Sequence, residues 1–422
     1  MIITGQRYRF LREKLPDSIR RRVVVLTGAR QTGKTTLVRD VYSDLEYVNL
    51  DAPENREAMQ LVSTATWSES VGDAVIDEAQ KLPEVFEKVK YAFDDRKITF
   101  TCLTGSSQIL LLKKIRESLA GRAFFHELWP LLQSEINLPS ETEKTRPSLI
   151  CRILADEPLE SVFSDIPPVL LEKRDVRLRM AEDHILQWGG MPALLPLKDS
   201  EREEWLKNYG YTYLERDLGD LARLDDLSPF RQFQRLAAIR SSSLLNFSEL
   251  ARDAGISVDT SRRYFEYLRL SYQTFFLEPY YQNLSSKVIK TPKLYWLDMG
   301  ILRQLTGIRG LISGELYETM VVSEIYKILK TFQLDAELYF YRTRSGMELD
   351  LLIETPSGLV GVEMKSREQV YGQDLRVMRD LARILGPTWR GGIVVYRGSE
   401  IRKLDDSGIW MVPSRRLFQE PL

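Results

Sequence analysis

The stretch GARQTGKT (28–35) follows the apolar run RVVVLTG (22–28) and leads into TTLVRDVY (35–42). The run before it reads as a buried strand and the run after it as the start of a helix. Between them, Gly28 and Gly33 permit a tight backbone, which makes the stretch a phosphate-binding loop. Gly28, Ala29, Arg30, Gln31, Thr32, Gly33, Lys34, Thr35 and Thr36 then form the cradle, with N–H groups from Gly33 to Thr36 at the positive end of the helix. Lys34 is placed to reach the β- and γ-phosphates, and the Thr35 hydroxyl to take one position on magnesium. The expected ligands are ATP and Mg2+. The pattern alone arises by chance in long chains; the flanking strand and helix make it specific.

The apolar run Ala74–Ile76 ends in Asp77 and Glu78. At a strand end these read as the acidic pair that serves such a loop, Asp77 holding magnesium through water and Glu78 orienting or deprotonating the attacking water. A further apolar strand, ITFTCLTGSS (98–107), is expected between the two motif strands, which puts Thr104 or Ser106 near the γ-phosphate as a sensor. SLAGRAFFHEL (118–128) breaks a helix at Gly121 and leaves Arg122 at the start of a strand. Arg122 has two readings: a finger completing a neighbouring subunit's site, or a surface arginine capping a helix end.

A chain of 422 residues with 43% hydrophobic content supplies cores for about three domains. No apolar stretch approaches the roughly 20 residues of a membrane span, and MIITGQRYRF lacks a signal-peptide core, so a cytoplasmic location without membrane contact is expected. With two cysteines, Cys102 and Cys151, and two histidines, His126 and His184, the chain has no zinc constellation. The net charge of −1 exerts no global pull on nucleic acid, so any such binding has to come from local patches.

LPSETEKTRPS (138–148) is the best linker candidate. The expected division is 1–140 for the phosphate-loop core, 141–227 for a mostly helical segment with Trp188, Met191, Leu194 and Leu195 around a Gly-Gly turn, 228–297, and 298–422. YLERDLGDL (213–221) reads as a salt-bridged helical face in preference to a nucleotide sensor.

Residues 228–297 have winged-helix spacing: helices over 230–241, 247–255 and 257–270, then aromatic strands around KVIK (287–290). Ser257 is a natural N-cap, and Tyr264, Phe265, Leu268 and Tyr272 share one stripe. The stretch 231–293 holds ten Lys or Arg against five Asp or Glu. Arg262, Arg263, Arg269, Lys287 and Lys290 are the candidate DNA contacts, although Glu266 interrupts the face and such modules also serve in packing or protein docking.

The C-terminal third reads as helix 314–332, strands 337–342, 347–353 and 359–365, a helix around 368–385 and strand 392–397. This αβββαβ order is that of restriction-endonuclease-like folds, and ELD (348–350) with VEMK (362–365) resembles the signature of the PD-(D/E)XK nucleases. Alternation puts Met347, Leu349, Leu351 and Ile353 on one face, and it lets Asp350, Glu363 and Lys365 converge beside the space left by Gly361. Glu318 points inward from the helix. Asp350 and Glu363, helped by Glu318, would bind magnesium, and Lys365 would stabilise developing charge. Such folds are also kept as binding scaffolds after catalysis is lost.

In order, GARQTGKT, YVNLD (47–51), VIDEAQK (75–81), LTGSS (103–107), SLAGR (118–122), WGGMPALL (188–195) and YLERD (213–217) resemble a family of prokaryotic AAA-type ATPases across essentially the whole chain. The resemblance implies an α/β P-loop core, a helical lid, a winged helix and a nuclease-like C-terminal domain. Three functions fit. The preferred one is an ATP-driven DNA-processing enzyme that couples nucleotide state to DNA binding and cleavage, as a homo-oligomer. The others are a nucleotide-dependent switch that binds DNA or protein without cutting, and an ATP-stabilised oligomeric scaffold.

Overall fold

Val23, Val24, Val25 and Leu26 are fully buried, as a strand covered on both faces requires, and they form the centre of β1 (Arg22–Thr27). The computed structural model describes residues 5–105, 119–142, 145–213, 227–281 and 290–419. Around β1 assemble β2 (Glu46–Asn49), β3 (Ala74–Asp77), β4 (Phe100–Thr104) and β5 (Ala123–Glu127). All pair in parallel in the order β2-β3-β4-β1-β5. The strand expected between the two motif strands is there: β4 separates β1 from β3. Val23, Val25, Ile76 and Leu103 pack on one face with Val85, Phe86 and Val89 of the helix Glu84–Asp94. On the other face Val24, Leu26, Val75 and Cys102 pack with Leu37 and Val38 of the helix Lys34–Val41. Both cysteines are buried and unpaired with each other.

Among the described residues, the later part of the chain builds a nine-stranded sheet from β6 (Ser243–Leu244), β7 (Thr274–Pro279), β8 (Lys293–Trp296), β9 (Glu337–Arg342), β10 (Glu348–Thr355), β11 (Gly358–Lys365), β12 (Trp389–Tyr396), β13 (Arg402–Lys403) and β14 (Ile409–Pro413). Its order is β13-β14-β12-β11-β10-β9-β7-β8-β6. The sheet runs straight through the boundary expected at 297/298, because β7 pairs in parallel with β9 through Glu278 and Pro279. The three helices before β7, Ser228–Ile239, Phe247–Asp253 and Val258–Leu270, appear where the sequence places them. Ser257 caps the third, its hydroxyl accepting from Thr260 N–H at 3.1 Å. Tyr264, Phe265, Leu268 and Tyr272 are buried.

Helix Gly314–Phe332, β9, β10, β11, helix Arg376–Leu385 and β12 follow in the expected order. Strand alternation on β10 does not hold. A register shift between Leu349 and Leu352 sends Leu349 and Leu352 into one core cluster and Leu351 and Ile353 into another. The face expected to carry Leu349 and Leu351 together is therefore split at Asp350, as a bulge does.

The helices Leu149–Leu154, Leu159–Phe163 and Glu172–Trp188 share a core with Trp410, Val412 and Leu417, so they back the C-terminal sheet. The Gly-Gly turn has a specific cause. A Cβ on Gly189 would fall 2.2 Å from Asp298 Oδ1, and one on Gly190 2.4 Å from the Leu131 carbonyl. Asp298 accepts from Gly190 N–H at 2.7 Å and caps the next helix through Ile301 N–H at 3.0 Å. Residues 214–221 of the charged helical string lie outside the described residues.

Candidate functional site

The loop after β1 takes the conformation its glycines predict. Gly33 sits at φ 95 as the N-cap of Lys34–Val41, and it provides no side-chain cap. The first-turn N–H groups of that helix are therefore left to an external acceptor at its positive end, which fits a polyphosphate. Gly28 is glycine for packing, since a Cβ there would meet the Leu128 carbonyl at 2.2 Å. Gln31 also has positive φ, 60°. Thr32 is buried and its hydroxyl donates to the Ala29 carbonyl at 2.9 Å. Lys34 Nζ donates to the carbonyls of Gly28 at 3.0 Å and Ala29 at 2.7 Å, so the loop holds its own ammonium. Thr35 and Thr36 are exposed at the mouth of the loop, and Tyr209 OH reaches the Arg30 carbonyl at 3.4 Å.

Asp77, 1% exposed, gathers three hydroxyl donors. Thr35 Oγ1 and Tyr47 OH reach Oδ2 at 2.6 and 2.7 Å, and Thr104 reaches Oδ1. Thr104 is thus turned onto the carboxylate, while Ser106 lies outside the described residues. A threonine hydroxyl beside a buried carboxylate is the oxygen set that suits magnesium. Glu78 adopts left-handed backbone at φ 55, a strain of about 1–3 kcal/mol of the kind concentrated at working sites. Burial pushes its carboxyl above the usual range; Gln80 and Lys34 oppose the shift. Gln80 Nε2 donates to Glu78 Oε2.

Sequence reading missed Arg9. Its guanidinium donates to the carbonyls of Thr32 and Trp129, each at 2.6 Å, and lies 3.1 Å from Glu135 Oε2. Because the peptide is planar and trans, a Thr32 carbonyl fixed on Arg9 aims the Gly33 N–H the opposite way. Beside it opens a cavity of 440 Å³, walled by Thr36, Leu37, Tyr8, Arg12, Pro192 and Pro196. No motif marks Arg9, and Tyr47, although it opens YVNLD, had no role assigned; only the fold brings them to the site.

Arg122 is held within its own chain, Nε and Nη2 donating to Asp94 at 2.6 and 2.9 Å and Nη1 to the Ala120 carbonyl at 3.1 Å. Of the candidate DNA contacts, Arg262 and Arg263 are exposed on Val258–Leu270 and Lys290 is exposed after β7. Arg262 lies 5.7 Å from the Phe247 ring. Arg269 is tied to Glu266 at 2.8 Å. Lys287 lies outside the described residues.

The C-terminal carboxylates do not form the metal site expected of them. Among the described residues no three His, Cys, Asp or Glu side chains stand together as metal ligands. Glu318 accepts from Lys293 Nζ at 3.0 Å and Tyr295 OH at 2.6 Å. Asp350, at the β10 bulge, accepts from Met364 N–H at 2.8 Å. Glu363 is taken by Lys365 at 2.6 Å, and it alternates with Val362 and Met364, which enter the core under the helix carrying Glu318. The space at Gly361 is filled by Trp389, whose ring lies 2.4 Å from where a Cβ would be. Burial and the nearby Asp350 carboxylate hold Glu318 and Glu363 above the usual carboxylate range, and burial does the same for Asp350. Glu318 Oε1, Asp350 Oδ2 and Glu363 Oε1 are thus each engaged within the chain, while Glu363 Oε2 is buried without a hydrogen-bond partner. Lys293 and Tyr295, to which the sequence reading gave no role here, donate to Glu318 instead.

Loop, helix, Asp77 and strand order together define a P-loop ATPase domain. Residues 20–137 match the family described as an AAA domain. Residues 181–311 and 313–417 match two domains of unknown function, DUF8612 and DUF4143. An uncharacterized protein of Mycobacterium tuberculosis is 27% identical over 353 residues, covering 81% of this chain and 70% of that protein. One from Methanocaldococcus jannaschii is 24% identical over 420 residues, covering 90% and 84%. Among solved structures, a Walker-type ATPase of Pyrococcus abyssi is similar at 17% identity and TM-score 0.41, over 70% of this chain and 94% of that one. Among the described residues no helix is long and apolar enough to cross a membrane.

Proposed function

We propose that this chain hydrolyses ATP at the loop Gly28–Thr35 and works as a nucleotide-dependent switch. The observation that supports it most is the 2.6 Å hydrogen bond from Thr35 to Asp77, which joins the phosphate loop to the acidic strand end beside the strained Glu78. Thr35 and Asp77 would hold the magnesium of bound ATP, which would neutralise charge on the phosphate oxygens. Lys34 exchanges the carbonyls of Gly28 and Ala29 for phosphate oxygens. With Oε2 engaged by Gln80, Glu78 keeps Oε1 to take the proton of the attacking water, and its raised pKa suits that task. The 440 Å³ cavity beside Thr36 accommodates the base.

Beyond the ATPase domain, the helices 228–270 with β7 and β8 act as a winged helix, and Arg262, Arg263 and Lys290 contact DNA phosphates as one or more copies bind. The C-terminal region serves as a binding scaffold. One oxygen each of Glu318, Asp350 and Glu363 is engaged by an internal donor, which supports a scaffold over a cleaving site. Two substitutions test the ATPase. Lys34→Ala is expected to weaken ATP binding by about 10- to 100-fold, the worth of a charged hydrogen bond. Glu78→Gln is expected to keep binding and stop turnover; undiminished hydrolysis in it rejects the assignment. DNA contact predicts binding that falls with salt and weakens in Arg262→Ala/Arg263→Ala.

A further inference from the structure

We infer that Lys293 is the built-in cation of the C-terminal carboxylate site, excluding a divalent metal and latching the β7–β8 hairpin to the sheet that follows. Lys293 is 2% exposed. Its Nζ lies 3.0 Å from Glu318 Oε1 and 2.7 Å from Glu348 Oε1, so one ammonium bridges helix Gly314–Phe332 and β10. Two residues along β8, on the same side of the strand, Tyr295 donates to Glu318 at 2.6 Å. Arg342 closes the other oxygen of Glu348 at 3.1 Å.

A divalent ion of the kind expected from sequence needs several carboxylate oxygens turned to one point. Of the carboxylates expected to hold such an ion, Asp350, Glu363 and Glu318, Glu318 turns Oε1 onto the Lys293 ammonium and Asp350 lies within reach of the same charge, so a metal placed among them would sit against a like charge in a poorly hydrated setting. The cation comes from outside the strands that carry the carboxylates. Among the described residues β8 pairs with β6 and β7, and β7 carries the pairing on to β9 through Glu278 and Pro279. The ionic contact therefore supplements a short β-pairing. Separating the two would leave a buried lysine and two part-buried carboxylates, 16% and 28% exposed, without their partners, an unfavourable state.

Removing the ammonium while keeping the carboxylates should turn the cluster into a metal site. The test uses nucleotide-free full-length protein and Tb3+, whose luminescence Tyr295 would sensitise. Wild type, Asp350→Asn, Lys293→Met, Lys293→Arg and Lys293→Met/Asp350→Asn are titrated side by side. The signal from Tyr47 near Asp77 is common to all and cancels. Wild type and Asp350→Asn are expected to be indistinguishable. Lys293→Met is expected to gain a site on the order of a hundredfold tighter, which Asp350→Asn removes again, while Lys293→Arg gains none. A wild-type signal abolished by Asp350→Asn overturns the inference, as does a folded Lys293→Met with no gained site. Should Lys293→Met fail to fold, the wild-type and Asp350→Asn pair decides alone. Failure here leaves ATP hydrolysis at Glu78 untouched, so the two readings are tested separately.

Discussion

Tyr272 OH donates to Thr27 Oγ1 at 2.6 Å and lies 3.4 Å from Glu127 Oε1, so a residue that follows the helix Val258–Leu270 touches the last residue of β1, one position before Gly28. Both partners are buried, at 4% and 2% exposure, and Tyr272 holds left-handed backbone at φ 58. Its ring meets Trp129 edge-on at 5.3 Å. The contact gives the phosphate loop a direct mechanical connection to the region proposed to bind DNA. Tyr272→Phe is expected to lower stability by about 1 kcal/mol. It should also shrink the change in hydrogen-exchange protection that a non-hydrolysable ATP analogue produces over 258–277. An unchanged exchange response would remove Tyr272 from the switch.

Glu78 should set the acid limb of turnover. A general base works only when ionised, and burial raises this carboxyl above an ordinary one. The rate constant kcat is therefore expected to rise with pH through a value higher than that of a solvated glutamate. Glu78→Gln should abolish the limb and reduce kcat by about 10²- to 10⁴-fold. An acid limb of unchanged position in the residual activity of Glu78→Gln would assign it to another group.

Arg122 and Asp94 form an exposed pair, 32% and 40% accessible, worth about 1 kcal/mol or less. The geometry favours the helix-end reading over the finger. Arg122→Ala is therefore expected to keep turnover per chain within about twofold at every protein concentration. A loss of activity together with a loss of concentration dependence would restore the role in a neighbouring copy's site.

The phosphate loop was legible because its chemistry is local. Gly28, Lys34 and Thr35 are fixed by spacing, and Asp77 by ending an apolar run. The roles of Tyr47, Arg9 and Tyr272 were not, since each comes to the site across a long sequence separation; Tyr47 stood in YVNLD without a role, Tyr272 only in a packing stripe, and Arg9 in no motif. The C-terminal element order could be read from alternation, yet one irregularity at Asp350 changed which side chains share a face, and a one-residue slip of that kind is invisible to a period-two pattern. Lys293 sat in the basic excess credited to DNA contact; only its burial beside Glu318 and Glu348 reveals that it is spent internally. Gly361 was read as leaving room beside Asp350, Glu363 and Lys365, and the fold uses it to seat Trp389.

Acid stability should turn on two histidines. Burial lowers His126 and His184 from 6.5 to about 4, with Arg22 adding to the first and Arg202 to the second. One ring nitrogen of each has no hydrogen-bond partner. Between pH 6.5 and 4 the unfolded chain binds a proton at these sites that the folded chain refuses, so stability rises with pH there and is lost as pH falls. Each contributes up to about 3 kcal/mol across that window. Buried carboxyls raised above their ordinary values, Glu182 and Asp298 among them, act in the opposite sense, losing stability as pH rises. Thermal unfolding of His126→Gln from pH 7.5 to 4.5 should therefore show a shallower acid decline than wild type, with the two curves diverging below about pH 6.5. Parallel curves would mean that His126 is already protonated, or is hydrated, in the folded chain.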